Sequence, residues 1–201
     1  WIGHLLESIE RLNLLDDTVV MFLSDHGTQL MDKGRFGKSG ADLYPFNTQI
    51  NWTIRHPDGP RGHHTDIWVQ NQDVTPTILD LLGVDHEAMA GANAWAIANG
   101  QAEPTRDHIT TGWGRNLNVR DDHYSVHLNL EQAQPDAVVY DIIVDPEEEN
   151  PLSDPPAEVV SQALDRARAV VGDFPVQFTQ YEQRHPARAM RTFMNRHNLD
   201  G

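Results

Sequence analysis

Thr18-Val19-Val20-Met21-Phe22-Leu23-Ser24-Asp25-His26-Gly27 is an apolar run that stops on a carboxylate and an imidazole. The stretch Val19 to Leu23 carries no polar side chain, which suits a strand covered on both faces, as in a parallel sheet. Open α/β sheets place ligands just beyond the carboxyl ends of such strands, so Asp25 and His26 stand where a site is expected. Gly27 lets the backbone turn and approach a ligand closely. A cation follows a short loop later, at Gly37-Lys38.

The surrounding sequence makes this strand part of a layered unit. Upstream, Leu5, Leu6, Ile9, Leu12 and Leu15 recur at helical spacing from His4 to Leu15, and Asp16-Asp17 closes the helix before the strand begins. Helix, tight turn and buried strand form one unit of an α/β sheet. Downstream, Gln49 to Ile54 reads as a second strand ended by the turn cluster Pro57-Asp58-Gly59-Pro60. Thr75-Pro76 predicts a helix start, with Thr75 as N-cap and Pro76 at the first helical position. Ile78, Leu79, Leu81 and Leu82 give that helix its apolar face, and Gly83 stops it. Ala88 to Gly100 reads as a connection with one short helix.

Beyond residue 100 the pattern changes. His108 to Thr111, Leu117 to Arg120, Tyr124 to Leu128 and Ala137 to Ile143 are short β-prone runs between polar turns, which predicts a small antiparallel sheet. A helix over Pro155 to Val171 should lie against it. The predicted organisation is therefore an α/β domain over residues 1–100, a small antiparallel β subdomain with its helix over 101–175, and a polar tail over 176–201.

Composition narrows the function. The 201 residues are 39% hydrophobic, enough for a substantial core. Lys and Arg number 15 against 30 Asp and Glu, a formal net charge of −15. Such a chain repels nucleic acid and anionic membrane surfaces, so neither is an expected partner. An anionic ester would be repelled too, unless a metal and a lysine invert the field locally. Cysteine is absent, which rules out disulfides and a cysteine nucleophile within these residues and leaves the compartment open, with a cytoplasmic one the default expectation. Trp1-Ile2-Gly3-His4 does not read as a signal peptide, and a first residue other than Met suggests an incomplete gene product.

Asp25 and His26 are candidate donors for a divalent cation, because one offers an anionic oxygen and the other a neutral imidazole nitrogen. In isolation the pair reads better as a turn-capping aspartate beside a loop histidine, and the flanking strand, Gly-Lys and Thr-Pro-Thr helix reverse that preference. Lys38 is a compact ammonium able to neutralise an ester oxygen, or else a solvated surface lysine. Lys33 reads as solvent-facing. His63, His64 and Asp66 read as an exposed loop, His123 and His127 as sheet-packing residues on one strand face, and the acidic run Asp141, Asp145 and Glu147 to Glu149 as a solvated turn.

Thr-Val-Val-x-Phe-x-Ser-Asp-His-Gly followed by Gly37-Lys38 resembles the C-terminal half of the sulfatases, members of the alkaline-phosphatase-like superfamily. Ile54-Arg55-His56-Pro57-Asp58-Gly59-Pro60 and Gln72-Asp73-Val74-Thr75-Pro76-Thr77-Ile78-Leu79-Asp80-Leu81-Leu82-Gly83-Val84 extend the likeness in the family's order. Arg120-Asp121-Asp122-His123-Tyr124 and Val139-Tyr140-Asp141-Ile142-Ile143-Val144-Asp145-Pro146-Glu147-Glu148 are looser echoes.

The resemblance implies an α/β/α layered sheet followed by a small antiparallel sheet with a packed helix, as the C-terminal portion of a metal-dependent sulfuric ester hydrolase. It implies Asp25 and His26 as metal ligands and Lys38 as the catalytic, substrate-binding cation on a small sulfate ester. A phosphonate monoester or phosphodiester hydrolase of the same superfamily is the alternative, and a non-catalytic acidic binding module is the reading from another class. The family's ion is Ca2+, although many calcium-dependent members carry Asn where His26 stands, and an imidazole suits Mn2+ better. Its formylglycine arises from a Cys-x-Pro-x-Arg or Ser-x-Pro-x-Arg segment absent from these residues, as is the family's N-terminal aspartate pair. The family's Arg-x-Pro strand is replaced by Thr48-Gln49-Ile50-Asn51.

Overall fold

The structure is a computed structural model, and it describes residues 1–38, 42–130 and 136–172. In chain order its elements are α1 (Ile2–Arg11), β1 (Val20–Leu23), β2 (Gln29–Leu30), β3 (Phe36–Gly37), α2 (Pro45–Thr48), β4 (Trp52–Arg55), α3 (Val74–Leu81), α4 (Ala94–Ala98), β5 (Ile109–Trp113), β6 (Asn116–Arg120), β7 (Tyr124–Asn129), β8 (Asp136–Asp141) and α5 (Ala157–Val171). They form two compact units that interleave in sequence, residues 1–28 with 49–106, and residues 29–48 with the segment from 107 onward. The tail predicted over 176–201 lies outside the described residues. No described helix is long and apolar enough to cross a membrane.

In the first unit, β1 pairs antiparallel with β4, from Val20 opposite Arg55 to Leu23 opposite Trp52. This differs from the parallel, doubly covered strand that the apolar run suggests. Among the described residues β4 is its one neighbour, and Phe22 remains 47% exposed. An apolar run records what a strand can bury; its direction depends on which segment returns beside it, which the side chains of the strand do not encode. Arg55 fastens the pair to the turn after α1, its guanidinium donating to the carbonyls of Leu15 at 2.5 Å and Thr18 at 3.0 Å.

The start of α3 also departs from the sequence reading. Asp73, not Thr75, precedes the first helical residue Val74, and a short 3-10 turn over Asn71–Asp73 leads into it. Pro76 sits inside the first turn, where its missing N–H is tolerated. The cap moves because Asp73 does more than a threonine could. It is 1% exposed, its carboxylate accepts from the backbone N–H of Gln70 at 2.7 Å and of Ala92 at 2.8 Å, and Arg106 forks onto both oxygens at 2.5 and 2.9 Å. Burial alone would raise this carboxyl, but the Arg106 fork and the two N–H donors outweigh it and hold Asp73 below the usual carboxylate value. The loop bearing Ala92 comes so close that a Cβ at Gly91 would lie 2.0 Å from the carbonyl oxygen of Gln72.

The second unit is an antiparallel meander in the order β5-β6-β7-β8. Period-two alternation divides its faces. One presents Leu117, Val119, Val126, Leu128 and Val139, which form the core with Ala163 and Ala167 of α5. Those alanines are four apart and so face the sheet together, letting the helix lie close. On the other face, Asn118 and Ser125 are buried and joined by a 2.8 Å hydrogen bond, beside Arg120, His127 and Tyr140.

Arg106→Ala would leave the Asp73 carboxylate buried without its cation, and urea unfolding at neutral pH should show a loss of roughly 3–5 kcal/mol. Because the folded Asp73 is depressed, its contribution is present above the unfolded value of about 3.9 and fades as pH falls through the lower folded value. Asp73→Asn should therefore flatten the acid limb of the stability profile.

Candidate functional site

Beyond β1, the chain turns outward and presents Asp25 and His26 side by side. The His26 N–H donates to Asp25 Oδ1 at 3.0 Å, and its Nε2 lies 3.4 Å from Asp25 Oδ2. His26 Nδ1 is 2.7 Å from the carbonyl oxygen of Gly27. A carbonyl can only accept, so in that contact Nδ1–H is the donor, and the ring so held turns Nε2 toward the carboxylate. The backbone beneath is held from elsewhere in the unit, where Asn71 Nδ2 donates to the Asp25 carbonyl at 2.7 Å.

This is an arrangement that suits a shared cation. The separation of 3.4 Å exceeds a good hydrogen bond. Two donors each about 2.4 Å from one ion and roughly at right angles would be about 3.4 Å apart. The carboxylate side chain is 84% exposed and the imidazole 41%, so both reach solvent. Among the described residues no group of three His, Cys, Asp or Glu converges as a cage, leaving a two-donor arrangement. His63 and His64 line a separate cleft with Trp52, Ile54, Trp95 and Asn99, and no carboxylate is among its lining residues.

Lys38 is exposed and directly follows β3, in the second unit. It is carried by the β2–β3 hairpin, whose register sets Gln29 opposite Gly37 and Leu30 opposite Phe36. The tip between the strands is strained: Met31 and Lys33 adopt φ of 82° and 50°. Side chains rarely hold that left-handed backbone without support.

The sequence reading missed two residues that organise this unit. Lys33 is not merely solvent-facing, since its ammonium donates to the carbonyl of Glu148 at 2.5 Å and lies 5.0 Å from the centre of the Tyr44 ring. Glu148, expected in a solvated turn, is fully buried, while Glu147 and Glu149 on either side are exposed. Its carboxylate is paired with Arg120 on one oxygen and with His127 Nε2 on the other at 2.6 Å. The reason is positional: Asp145 accepts the N–H groups of Glu149 and Asn150 and curls the run into a turn, which sends Glu148 toward the polar face of the sheet. Nearby, burial and a 3.3 Å contact with the Tyr44 hydroxyl hold the Tyr140 phenol far above its ordinary range. Arg120 and His127 stand on the same face of adjacent strands, and only that register could have signalled a partner for Glu148.

The profile of the sulfatase family matches residues 1–84, the part that holds α1, the β1–β4 pair, Asp25, His26, Lys38 and α3. Over those residues the chain is similar to the sulfatase family. It is similar to the choline-sulfatase of Rhizobium meliloti (strain 1021), with 34% identity over 86 residues, 43% of this chain and 16% of that protein. The chain thus spans about a sixth of that relative's length. A protein solved in complex with its substrate D-glucosamine-2-N,6-O-disulfate shares the fold, with a TM-score of 0.70 at 20% identity over 89% of this chain and 38% of that one. A phosphonate monoester hydrolase from Silicibacter pomeroyi does so with a TM-score of 0.69 at 20% identity, over 87% of this chain and 39% of that one. At that identity the likeness is one of fold.

Asn71→Ala should release the backbone beneath the Asp-His-Gly turn. The expected loss is about 1 kcal/mol in urea unfolding, with faster hydrogen exchange at the His26 amide. Unchanged exchange there would show that Asn71 does not hold the turn.

Proposed function

We propose that this chain contributes part of the active site of a sulfatase, a metal-dependent hydrolase of small sulfate esters. Asp25 and His26 would hold a divalent cation, the carboxylate through Oδ2 and the imidazole through Nε2. When bound, that cation supplies Lewis acidity and a fixed anchor for the ester. Ca2+ is the ion of the family, while the imidazole favours Mn2+. Lys38 supplies the second positive group: its ammonium neutralises a non-bridging ester oxygen and the charge that grows during bond cleavage. In a chain of net charge −15, these groups give an anionic substrate its local attraction.

The observation that supports this reading most strongly is the 3.4 Å juxtaposition of two donors whose orientations are fixed by Gly27 and Asn71. A second reading is phosphonate monoester hydrolysis through the same residues, favoured by the shared fold of the Silicibacter pomeroyi enzyme. Parallel assays with an aryl sulfate and an aryl phosphonate monoester distinguish the two.

In the protein carrying this sequence, Asp25→Ala or Lys38→Ala should each lower aryl sulfate turnover by about 100-fold or more. Wild-type turnover from both variants would defeat the assignment. The 201-residue chain alone contains no Cys or Ser-x-Pro-x-Arg segment and should show negligible turnover.

A further inference from the structure

The β2–β3 hairpin is not held by burial of its apolar side chains: Leu30, Met31 and Phe36 are 68%, 66% and 78% exposed. Its internal hydrogen bonds, Met31 N–H to the Arg35 carbonyl at 2.9 Å and Gly34 N–H to the Met31 carbonyl at 3.0 Å, close the tip on itself but attach it to nothing else. Polar side chains make the attachments. Asp42 accepts from Arg35 Nη1, on the tip side, at 2.7 and 2.6 Å and from the buried Gln29, at the base, at 3.4 Å. At the tip, Lys33 reaches the carbonyl of Glu148 and the face of Tyr44.

We infer that Lys33 is a positioning residue for Lys38: it ties the hairpin tip to the buried Glu148 cluster, and so sets where the ammonium at the end of β3 is presented. The inference rests on the proposal that Lys38 contacts the ester. Its logic is that of a stiff arm. The anchor is rigid because Glu148 is itself fully buried and gripped from two strands, by Arg120 of β6 and His127 of β7. The Tyr44 ring packs against His127 at a tilt, with ring centres 4.6 Å apart, so the aromatic surface under Lys33 belongs to the same assembly. Lys33 lies four residues before Gly37 and five before Lys38, and the connecting strand is too short to absorb a displaced tip. Small errors in the placement of an electrostatic stabiliser reduce rate sharply, which is why its support can matter as much as the group itself.

A double-mutant cycle on aryl sulfate hydrolysis tests this in the protein carrying the sequence. Lys33→Met should lower kcat/KM by about tenfold in the wild-type background and by less than about twofold when Lys38 is already Ala. Lys33→Arg, which keeps a cation and donor, should recover activity to within about threefold of wild type. An equal loss in both backgrounds would make Lys33 a purely structural contact and overturn the inference. If Lys38→Ala alone retains wild-type turnover, the reading of Lys38 itself fails, and the inference with it. Hydrogen exchange on the 201-residue chain gives a readout that needs no activity. The Met31 and Gly34 amides should exchange about tenfold faster in Lys33→Met while β6 and β7 amides stay protected. Unchanged hairpin exchange, or equal acceleration throughout the sheet, would contradict the tether.

Discussion

The antiparallel pairing of β1 with β4 is the constraint on which the first unit turns. Its ladder runs from Val20–Arg55 to Leu23–Trp52, so the chain leaves the pair at a fixed point and the next residues must turn. Asp25 and His26 occupy that turn. Their geometry then follows from short-range chemistry: the imidazole proton goes to the Gly27 carbonyl, the backbone is held by Asn71, and the two donors are left 3.4 Å apart.

Each unit is organised around a buried carboxylate answered by arginine. Asp73 gathers the N–H groups of Gln70 and Ala92 and the Arg106 fork in the first. Glu148 gathers Arg120 and His127 in the second, while its carbonyl takes Lys33. A buried pair of this kind adds little net stability over an apolar substitute, but removing one partner is costly. Its effect is to fix loops in one place, and the loops so fixed are those around α3 and those bearing the β2–β3 hairpin. The chain's large negative charge makes such local compensation necessary, because an unanswered carboxylate cannot be buried.

Much of this was legible from residue patterns. The four short strands after residue 100 and the closing helix carry periodicities that their final positions use, and Gly83 ends α3 as expected; the first helix forms, but Leu5 and Leu12 of its apolar stripe stay exposed. The Asp-His-Gly turn was readable because an apolar strand led into it. What escaped was set by contacts between distant segments. The direction of β4 beside β1, the shift of the α3 cap from Thr75 to Asp73, and the burial of Glu148 between two exposed glutamates all depend on partners tens of residues away. Lys33 looked like any surface lysine because its acceptor is a backbone carbonyl, which leaves no trace in side-chain pattern.

Elemental analysis of the purified protein that carries these residues tests the central claim most directly, because it asks only whether Asp25 and His26 hold a metal. About one equivalent of Ca2+ or Mn2+ per chain in the wild type, lost in Asp25→Ala and reduced in His26→Ala, is the expected result. Full metal content in both variants would contradict the account.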